Sequence, residues 1–305
     1  MSSNRERNDR KGGKKPVFKP RSDARPQGGG ERGWTPADSS RSVTDGPARP
    51  SRGGDRSKAD ADNFVWGRHP VLAALANPAR QGMGRLLATE DRAAEIERDK
   101  LAHGHKIEII DGQQLAKMLP AGAVHQGMAF KVQPLEGVSL DEIADPAGGI
   151  IVMLDQITDP QNVGALFRSA LAFGAKGIIV QDRHSPALAG ALAKAAAGAT
   201  ERLPHVRVTN LSRALERLAD LGWRAVGLDG SAEATLEQAL DHQPTVLVMG
   251  SEGDGIRRLV AEHCDVLAKI PMPGGFESLN VSNAAAVALY EAMRAQSRAP
   301  DPLAG

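Results

Sequence analysis

Cysteine is almost absent from this chain of 305 residues, which has only Cys264. One cysteine cannot form an intrachain disulfide, and it offers too few thiolates for a metal cluster. No apolar run approaches the ~18–20 residues that a membrane-spanning helix needs, and the start of the chain has no apolar core typical of a signal peptide. We therefore expect a cytoplasmic protein without a metal site, in which Cys264 is a packed residue and not a nucleophile.

Three segments in the second half of the chain share one pattern, and they cover residues 150–171, 245–256 and 266–295. Each begins with an apolar run, continues through a polar or Gly-rich loop and ends in a helical pattern. Continuous apolar runs are typical of strands buried on both faces. Because open α/β sheets bind ligands beyond the carboxyl ends of their strands, the three loops predict one shared ligand site.

The loop of the third segment has the largest hydrogen-bonding capacity. Residues 271–275 contain two prolines, which stop a helix, and two glycines, which let the backbone approach a ligand closely. A helix cap explains one or two of the polar residues that follow, and a binding loop explains the others. These polar residues are Ser278, Asn280, Ser282 and Asn283.

The other two loops carry polar residues of their own. Asp159-Pro160 ends the first apolar run, Asn162 lies at the entrance of the next helix, and Arg168 lies about two turns along it. The second loop, residues 250–255, has three glycines around Glu252. It lacks the Gly-Lys-Ser/Thr ending of a nucleotide P-loop, and no Rossmann glycine motif follows a first strand. None of the three loops contains histidine, so the sequence offers no imidazole base there.

Together, the three segments resemble the motifs of the SpoU (TrmH-like) branch of the SPOUT RNA 2′-O-ribose methyltransferases, from roughly Gly149 to Gln296. The shared features are an Asn followed six residues later by an Arg, a Gly-x-Glu-Gly-x-Gly loop, and Ile-Pro-Met followed by Ser-Leu-Asn-Val-Ser. Phe276 and Asn283 depart from the commonest form of these motifs. Neither departure replaces a polar residue with an assigned role, so they affect the expected shape of the loop more than the expected activity. The resemblance implies an α/β domain at 149–305 with a parallel sheet and a trefoil knot. It also implies a homodimer with the C-terminal helix at the interface, where Ala284, Ala285, Val287, Ala288 and Met293 would supply an apolar face.

The same resemblance implies methyl transfer from S-adenosylmethionine to a ribose 2′-hydroxyl. The nearest group is the 23S rRNA guanosine 2′-O-methyltransferase (RlmB-like) group. Guanidinium is a poor base, so Arg168 is expected to position the hydroxyl and stabilise charge. Gly164 and Ala165 are small, and we expect them to leave room for Arg168 to reach toward Glu252. The catalytic residues that the resemblance implies are Asn162, Arg168, Glu252, Ser278 and Asn280. It places the cofactor's adenosine on backbone groups of Gly250, Ile270 and Leu279 and its adenine among Leu228, Met249 and Met272.

Residues 63–136 predict a small separate α/β unit, joined to the catalytic domain by a linker at 137–148. The runs at 66–72 and 122–127 resemble the L30e-like RNA-binding domain of the same enzymes. Its histidines lack metal-ligand spacing. Transfer-RNA enzymes of this branch generally lack the module, so its presence favours ribosomal RNA as substrate. The alternatives are a tRNA ribose 2′-O-methyltransferase and an inactive RNA-binding relative, and the retained motif residues argue against the second.

Charge is concentrated at the amino terminus, although the formal net charge of the chain is only +1. Residues 1–62 contain 15 Lys and Arg against 9 Asp and Glu, a net charge of +6, and the rest of the chain carries −5. The segment is also rich in Gly, Pro and Ser, so it cannot bury enough apolar surface to offset its chain entropy. We expect a disordered tail. It is either a linker or, as an RNA substrate favours, a basic arm that contacts phosphates without reading sequence.

Overall fold

The computed structural model describes residues 63–80, 84–274 and 279–297. The predicted basic tail at 1–62 and the predicted site residue Ser278 lie outside these ranges. Within them the chain forms two β-sheets with helices packed on their faces, so the predicted α/β class is confirmed. No helix among the described residues is long and apolar enough to cross a membrane.

The first sheet lies in the module predicted at 63–136. Its strands are β1 (Phe64–Trp66), β2 (Arg85–Ala88), β3 (Ile107–Ile109) and β4 (Met128–Lys131). Their spatial order is β1-β4-β2-β3; β2 and β3 are parallel, and the other two pairs are antiparallel. The helices of this part are α1 (Arg68–Ala76), α2 (Glu90–Arg98) and α3 (Gly112–Met118).

The second sheet contains all three of the apolar runs singled out in the sequence. Its strands are β5 (Ile150–Leu154), β6 (Gly177–Gln181), β7 (His205–Val208), β8 (Arg224–Leu228), β9 (Ala234–Thr235), β10 (Thr245–Met249) and β11 (Val266–Lys269). Their order is β7-β6-β5-β10-β8-β11-β9, and every neighbouring pair is parallel. The predicted parallel sheet is therefore confirmed. It places the carboxyl ends of β5, β10, β8 and β11 side by side.

Helices cover both faces of this second sheet. They are α4 (Leu140–Ala144), α5 (Pro160–Ala172), α6 (Gly190–Ala196), α7 (Leu211–Asp220), α8 (Leu236–Ala239), α9 (Arg258–Ala261) and α10 (Val281–Ser297). Residues of β5 alternate between two cores, as the pleat of a strand requires. Ile150, Val152 and Leu154 pack with α5, α6 and α10, whereas Ile151 and Met153 pack with α4 and α7.

Residues 137–148, predicted as a linker, contain the helix α4. Ser139 caps α4 through a capping box with Glu142. Ile143 is buried in the second core of the large sheet, so this part of the segment packs as an element of the catalytic part. The sequence prediction missed it because five residues are too few for a helical apolar period to show.

Candidate active site

A cavity of about 580 Å³ lies at the carboxyl ends of β8, β10 and β11. That volume is within the range of small-molecule sites, and the position is the usual one for ligands of open α/β sheets. The walls come from the predicted loops of the second and third segments and from the end of β8. All six predicted cofactor residues line this cavity, namely Leu228, Met249, Gly250, Ile270, Met272 and Leu279.

Polar residues of all three segments meet beside the cavity, around one oxygen of Glu252. Glu252 Oε1 accepts hydrogen bonds from Asn280 Nδ2 at 2.8 Å, from the Val281 backbone N–H at 3.1 Å and from Asn162 Nδ2 at 3.4 Å. Asn280 Nδ2 also donates to Asn162 Oδ1 at 3.0 Å. Three of the five predicted catalytic residues thus form one network, although they lie far apart in the sequence.

Helix starts hold two of these side chains in place. Asp159 caps α5, its Oδ2 accepting the Asn162 backbone N–H at 2.9 Å, and Pro160 occupies the first turn. Asn280 directly precedes α10, and its Oδ1 accepts the Ser282 backbone N–H at 3.0 Å. Asn280 therefore both caps α10 and takes part in the Glu252 network. Its Oδ1 accepts the backbone N–H of Ser282, whereas its Nδ2 donates to Glu252.

A tight turn presents Glu252 to this network. Ser251 and Gly255 exchange two backbone hydrogen bonds, at 3.1 and 3.0 Å, which close the loop over Glu252. A Cβ added at Gly250 would lie 2.1 Å from the Gly255 carbonyl carbon, so only glycine fits there. Gly255 itself has a φ of +67°, a conformation that glycine adopts without strain. The glycines thus serve the geometry of the turn.

Arg168 stands apart from the network. Its side chain is exposed on α5 and makes no hydrogen bond or ion pair with any described residue. The expectation that Gly164 makes room for it is wrong: a Cβ at Gly164 would lie 2.5 Å from the Leu192 carbonyl oxygen, so this glycine serves the close packing of α5 on α6. Arg168 does not pair with Glu252, whose described partners are amide groups.

Sequence reasoning missed a partly buried ion pair behind the Glu252 loop, in which the aspartate is buried and the Arg257 side chain is 40% exposed. The Asp155 side chain is fully buried, and its Oδ1 accepts Arg257 Nε at 2.7 Å and Nη2 at 2.6 Å, while its Oδ2 accepts the Arg257 backbone N–H at 2.9 Å. Arg257 Nη2 also donates to Gln181 Oε1 at 3.2 Å. The pair ties the ends of β5 and β6 to the residue that follows the Glu252 loop. The available signal was an aspartate directly after five buried apolar residues.

Cys264 is half-buried in the second core, where it packs beside α9. Burial, reinforced by the charges of Asp265 and Asp155, raises the pKa of its thiol to about 12. The thiol is therefore protonated at neutral pH, and a nucleophilic role is excluded there.

Comparisons with known proteins identify family domains in both parts of the chain. The model of the SpoU rRNA Methylase family matches residues 149–290, and the model described as RNA 2′-O ribose methyltransferase substrate binding matches residues 64–138. An uncharacterized tRNA/rRNA methyltransferase of Mycolicibacterium smegmatis is 39% identical over 245 residues, which is 78% of each chain. Another, from Synechocystis, is 37% identical over 258 residues, covering 81% of this chain and 66% of the relative.

Solved structures give the same result. The SpoU methyltransferase AviRb from Streptomyces viridochromogenes, in complex with the cofactor AdoMet, superposes with a TM-score of 0.64 at 28% identity, covering 79% of this chain and 92% of that one. The AdoMet-bound rRNA methyltransferase from Sinorhizobium meliloti shares the fold, with a TM-score of 0.65 at 23% identity over 78% of this chain and 88% of that one. This chain therefore belongs to the SpoU rRNA methylase family of S-adenosylmethionine-dependent RNA methyltransferases.

Proposed function

We propose that this protein methylates a ribose 2′-hydroxyl of ribosomal RNA and that its target is a guanosine of 23S rRNA. The observation that carries the proposal is the network in which Asn162, Glu252 and Asn280 meet beside the cofactor cavity. A match to the RNA 2′-O ribose methyltransferase substrate-binding model at residues 64–138 supports ribose as the acceptor.

The cavity residues fit S-adenosylmethionine. Leu228, Met249 and Met272 offer an apolar surface for the adenine. Backbone groups of Gly250, Ile270 and Leu279 make no hydrogen bonds to other described residues, so they are available to the adenosine. When bound, the cofactor supplies a sulfonium methyl group that is attacked in line, a reaction in which positioning provides much of the acceleration.

We assign the residues around the cavity to positioning the acceptor ribose. Both asparagines donate to Glu252 Oε1, and its second oxygen, Oε2, accepts nothing from a described residue, which leaves it free for a substrate hydroxyl. Arg168 is the cation we assign to positioning the 2′-oxygen and stabilising charge there, because its planar guanidinium is free of protein partners in the described chain. Ser278 belongs to the same proposed set.

We propose a homodimer with α10 at its interface. Val287 and Tyr290 expose 45% and 48% of their surface on this helix, which suits a partner's apolar face. Ala285 and Ala288, which the sequence also suggested for the interface, are buried in the protein's own core instead. We also propose the trefoil knot, the cytoplasmic location and the division into a domain at 63–136, a linker at 137–148 and a catalytic domain at 149–305.

Mapping of ribose 2′-O-methylation by mass spectrometry tests the substrate. We expect 23S rRNA from a deletion strain to lack one methylated guanosine, and purified protein with S-adenosylmethionine to restore it on that RNA. Loss of a methyl group from tRNA alone would move the substrate to tRNA. An unchanged methylation pattern in both RNA pools, together with no activity in vitro, would refute the proposed function.

A further inference from the structure

Three basic side chains lie close together where the module that contains the first sheet contacts the catalytic part that contains the second sheet. Arg68 begins α1 and Arg92 lies on α2, both in the module, whereas Lys194 lies on α6 of the catalytic part. They surround Gln126: its Oε1 accepts Lys194 Nζ at 3.2 Å and the Arg68 backbone N–H at 3.0 Å, and its carbonyl oxygen accepts Arg92 Nε at 3.2 Å. Gln126 therefore bonds the guanidinium of Arg92 in the module and the ammonium of Lys194 in the catalytic part, whereas Arg68 contacts it through the backbone amide.

The positive charge of this cluster is only partly neutralised. Glu95, whose side chain is 11% exposed, accepts Arg68 Nε at 2.8 Å and also holds Arg92. Lys194 forms no ion pair with a described carboxylate; its partner is the amide of Gln126. Burial lowers the pKa of the Lys194 ammonium. A partly desolvated cation without a counter-charge is disfavoured, and a bound anion would offset that cost.

The backbone is also arranged around this point. Gln126 has a φ of +53°, which is strained for a residue other than glycine. A Cβ at Gly67 would lie 2.3 Å from Lys194 Nζ, so the absence of a side chain there makes space for the ammonium. Helix α1 has no side-chain cap, and the His69 N–H has no described backbone partner. The start of α1 therefore brings the positive end of a helix dipole to this cluster.

We propose that Arg68, Arg92 and Lys194 form a binding site for a phosphate group of the RNA backbone, shared between the substrate-binding module and the catalytic part. This inference rests on the proposed function and adds the path of the substrate. Arginine forks and an ammonium suit phosphate oxygens. Because phosphate contacts fix position without reading sequence, the site holds the RNA in register as it passes from the module toward Glu252.

Salt-dependent binding tests the site. The variants are Lys194→Met and Arg92→Gln, and the probes are a fluorescent 20-nucleotide oligo(U) and total 23S rRNA. We expect each variant to bind both RNAs severalfold more weakly than the wild type. The magnitude of the slope of log affinity against log salt concentration should fall by about 0.7–0.9. Lys194→Arg, which keeps the charge, should retain most of the affinity. Binding of S-adenosylmethionine should not change.

Two matched controls come from the same chain. Lys176 lies in the catalytic part, as Lys194 does, and its ammonium donates to the Pro146 carbonyl oxygen at 2.6 Å. Lys176→Met therefore removes the same charge as Lys194→Met at a different place. Arg85 pairs with Glu108 in the module, so Arg85→Gln matches Arg92→Gln. Both controls should bind RNA with the wild-type salt slope.

The inference and the proposed function fail in different ways. Wild-type affinity and slope in Lys194→Met and Arg92→Gln would overturn the phosphate site, as would equal losses in the two controls. A wild-type protein that binds RNA but methylates none would instead refute the proposed function. The binding comparison still decides the phosphate site in that case, because it needs no methyl transfer. Circular dichroism of each variant separates a binding loss from unfolding.

Discussion

Arg168 is the exposed cation of the proposed active site, and its lack of described protein partners makes a sharp test possible. We expect Arg168→Ala to lower the methylation rate by about 10²–10³-fold, the usual cost of losing a charge-stabilising group. Melting temperature and cofactor affinity should change little, because no described contact is lost. Arg168→Lys should restore little activity, since an ammonium lacks the planar fork.

Arg213 provides the matched control for this arginine. It is exposed on α7, whose apolar residues pack in the core on the opposite face of the sheet from α5, so Arg213→Ala should methylate at the wild-type rate. A soluble Arg168→Ala protein with near wild-type activity would remove Arg168 from the mechanism and leave Glu252, Ser278 and the two asparagines as the remaining candidates.

His205 gives a prediction for stability against pH. Its ring is buried at the start of β7, and its Nε2 has no described hydrogen-bond partner. Burial, with the charge of Arg207, lowers the pKa of this imidazole to about 4. The unfolded chain binds the proton at about pH 6.5. The contribution of His205 to the free energy of unfolding is therefore fully present above about pH 6.5 and is lost as the pH falls toward 4.

Urea unfolding of wild type and His205→Leu measures this effect. Between about pH 7.5 and pH 5, the free energy of unfolding should fall by about 2 kcal/mol more in the wild type than in the variant. The difference between the two proteins cancels the titration of all other groups. Equal pH dependence in both would show that the imidazole is accessible to protons in the folded state.

At the scale of elements, the Asp155–Arg257 pair links two strand ends to the loop that carries Glu252. Asp155→Asn keeps the size of the side chain and removes its charge. We expect a loss of about 2 kcal/mol in the free energy of unfolding, because charged hydrogen bonds to a buried group are weakened. S-adenosylmethionine affinity, measured by calorimetry, should fall as well, since the loop lines the cofactor cavity.

A second aspartate–arginine pair lies near the end of the neighbouring strand. Asp182 and Arg207 are 3.7 Å apart, and the aspartate side chain is 53% exposed, so this pair should contribute little. Asp182→Asn should therefore leave both stability and cofactor affinity within about 0.5 kcal/mol of the wild type. If Asp155→Asn behaved in the same way, the Asp155–Arg257 pair would have no role in holding the loop.

The sequence was most informative where local pattern decides structure. Continuous apolar runs predicted β5, β10 and β11, and the rule that ligands bind at strand ends brought Asn162, Glu252 and Asn280 to one site before any geometry was known. Pairs such as Gln126 and Lys194 were out of reach, because they depend on how two packed units face each other. No local pattern carries that information.

At the scale of the whole molecule, a buried ion pair joins the module to the catalytic part. Arg80 follows α1, and Glu201 lies in the short 3₁₀ helix after α6; their side chains are 5% and 1% exposed. Arg80 Nε and Nη2 donate to the two oxygens of Glu201 at 2.7 and 2.8 Å, and Asn77 Nδ2 adds a third bond at 2.8 Å. Arg80 Nη1 donates to the Gln133 carbonyl at 2.7 Å.

Removing one member of this pair leaves a buried charge without its counter-charge. We expect Arg80→Met or Glu201→Met to lower the free energy of unfolding by about 3–5 kcal/mol, the usual cost of breaking a buried pair. The double variant Arg80→Met/Glu201→Met should lose less than the sum of the single losses, because it leaves neither charge behind. Arg85→Met, which breaks an exposed pair within the module, should cost no more than about 1 kcal/mol. Additive losses in the double variant would mean that Arg80 and Glu201 do not interact in solution, and this pair would then contribute nothing to holding the module to the catalytic part.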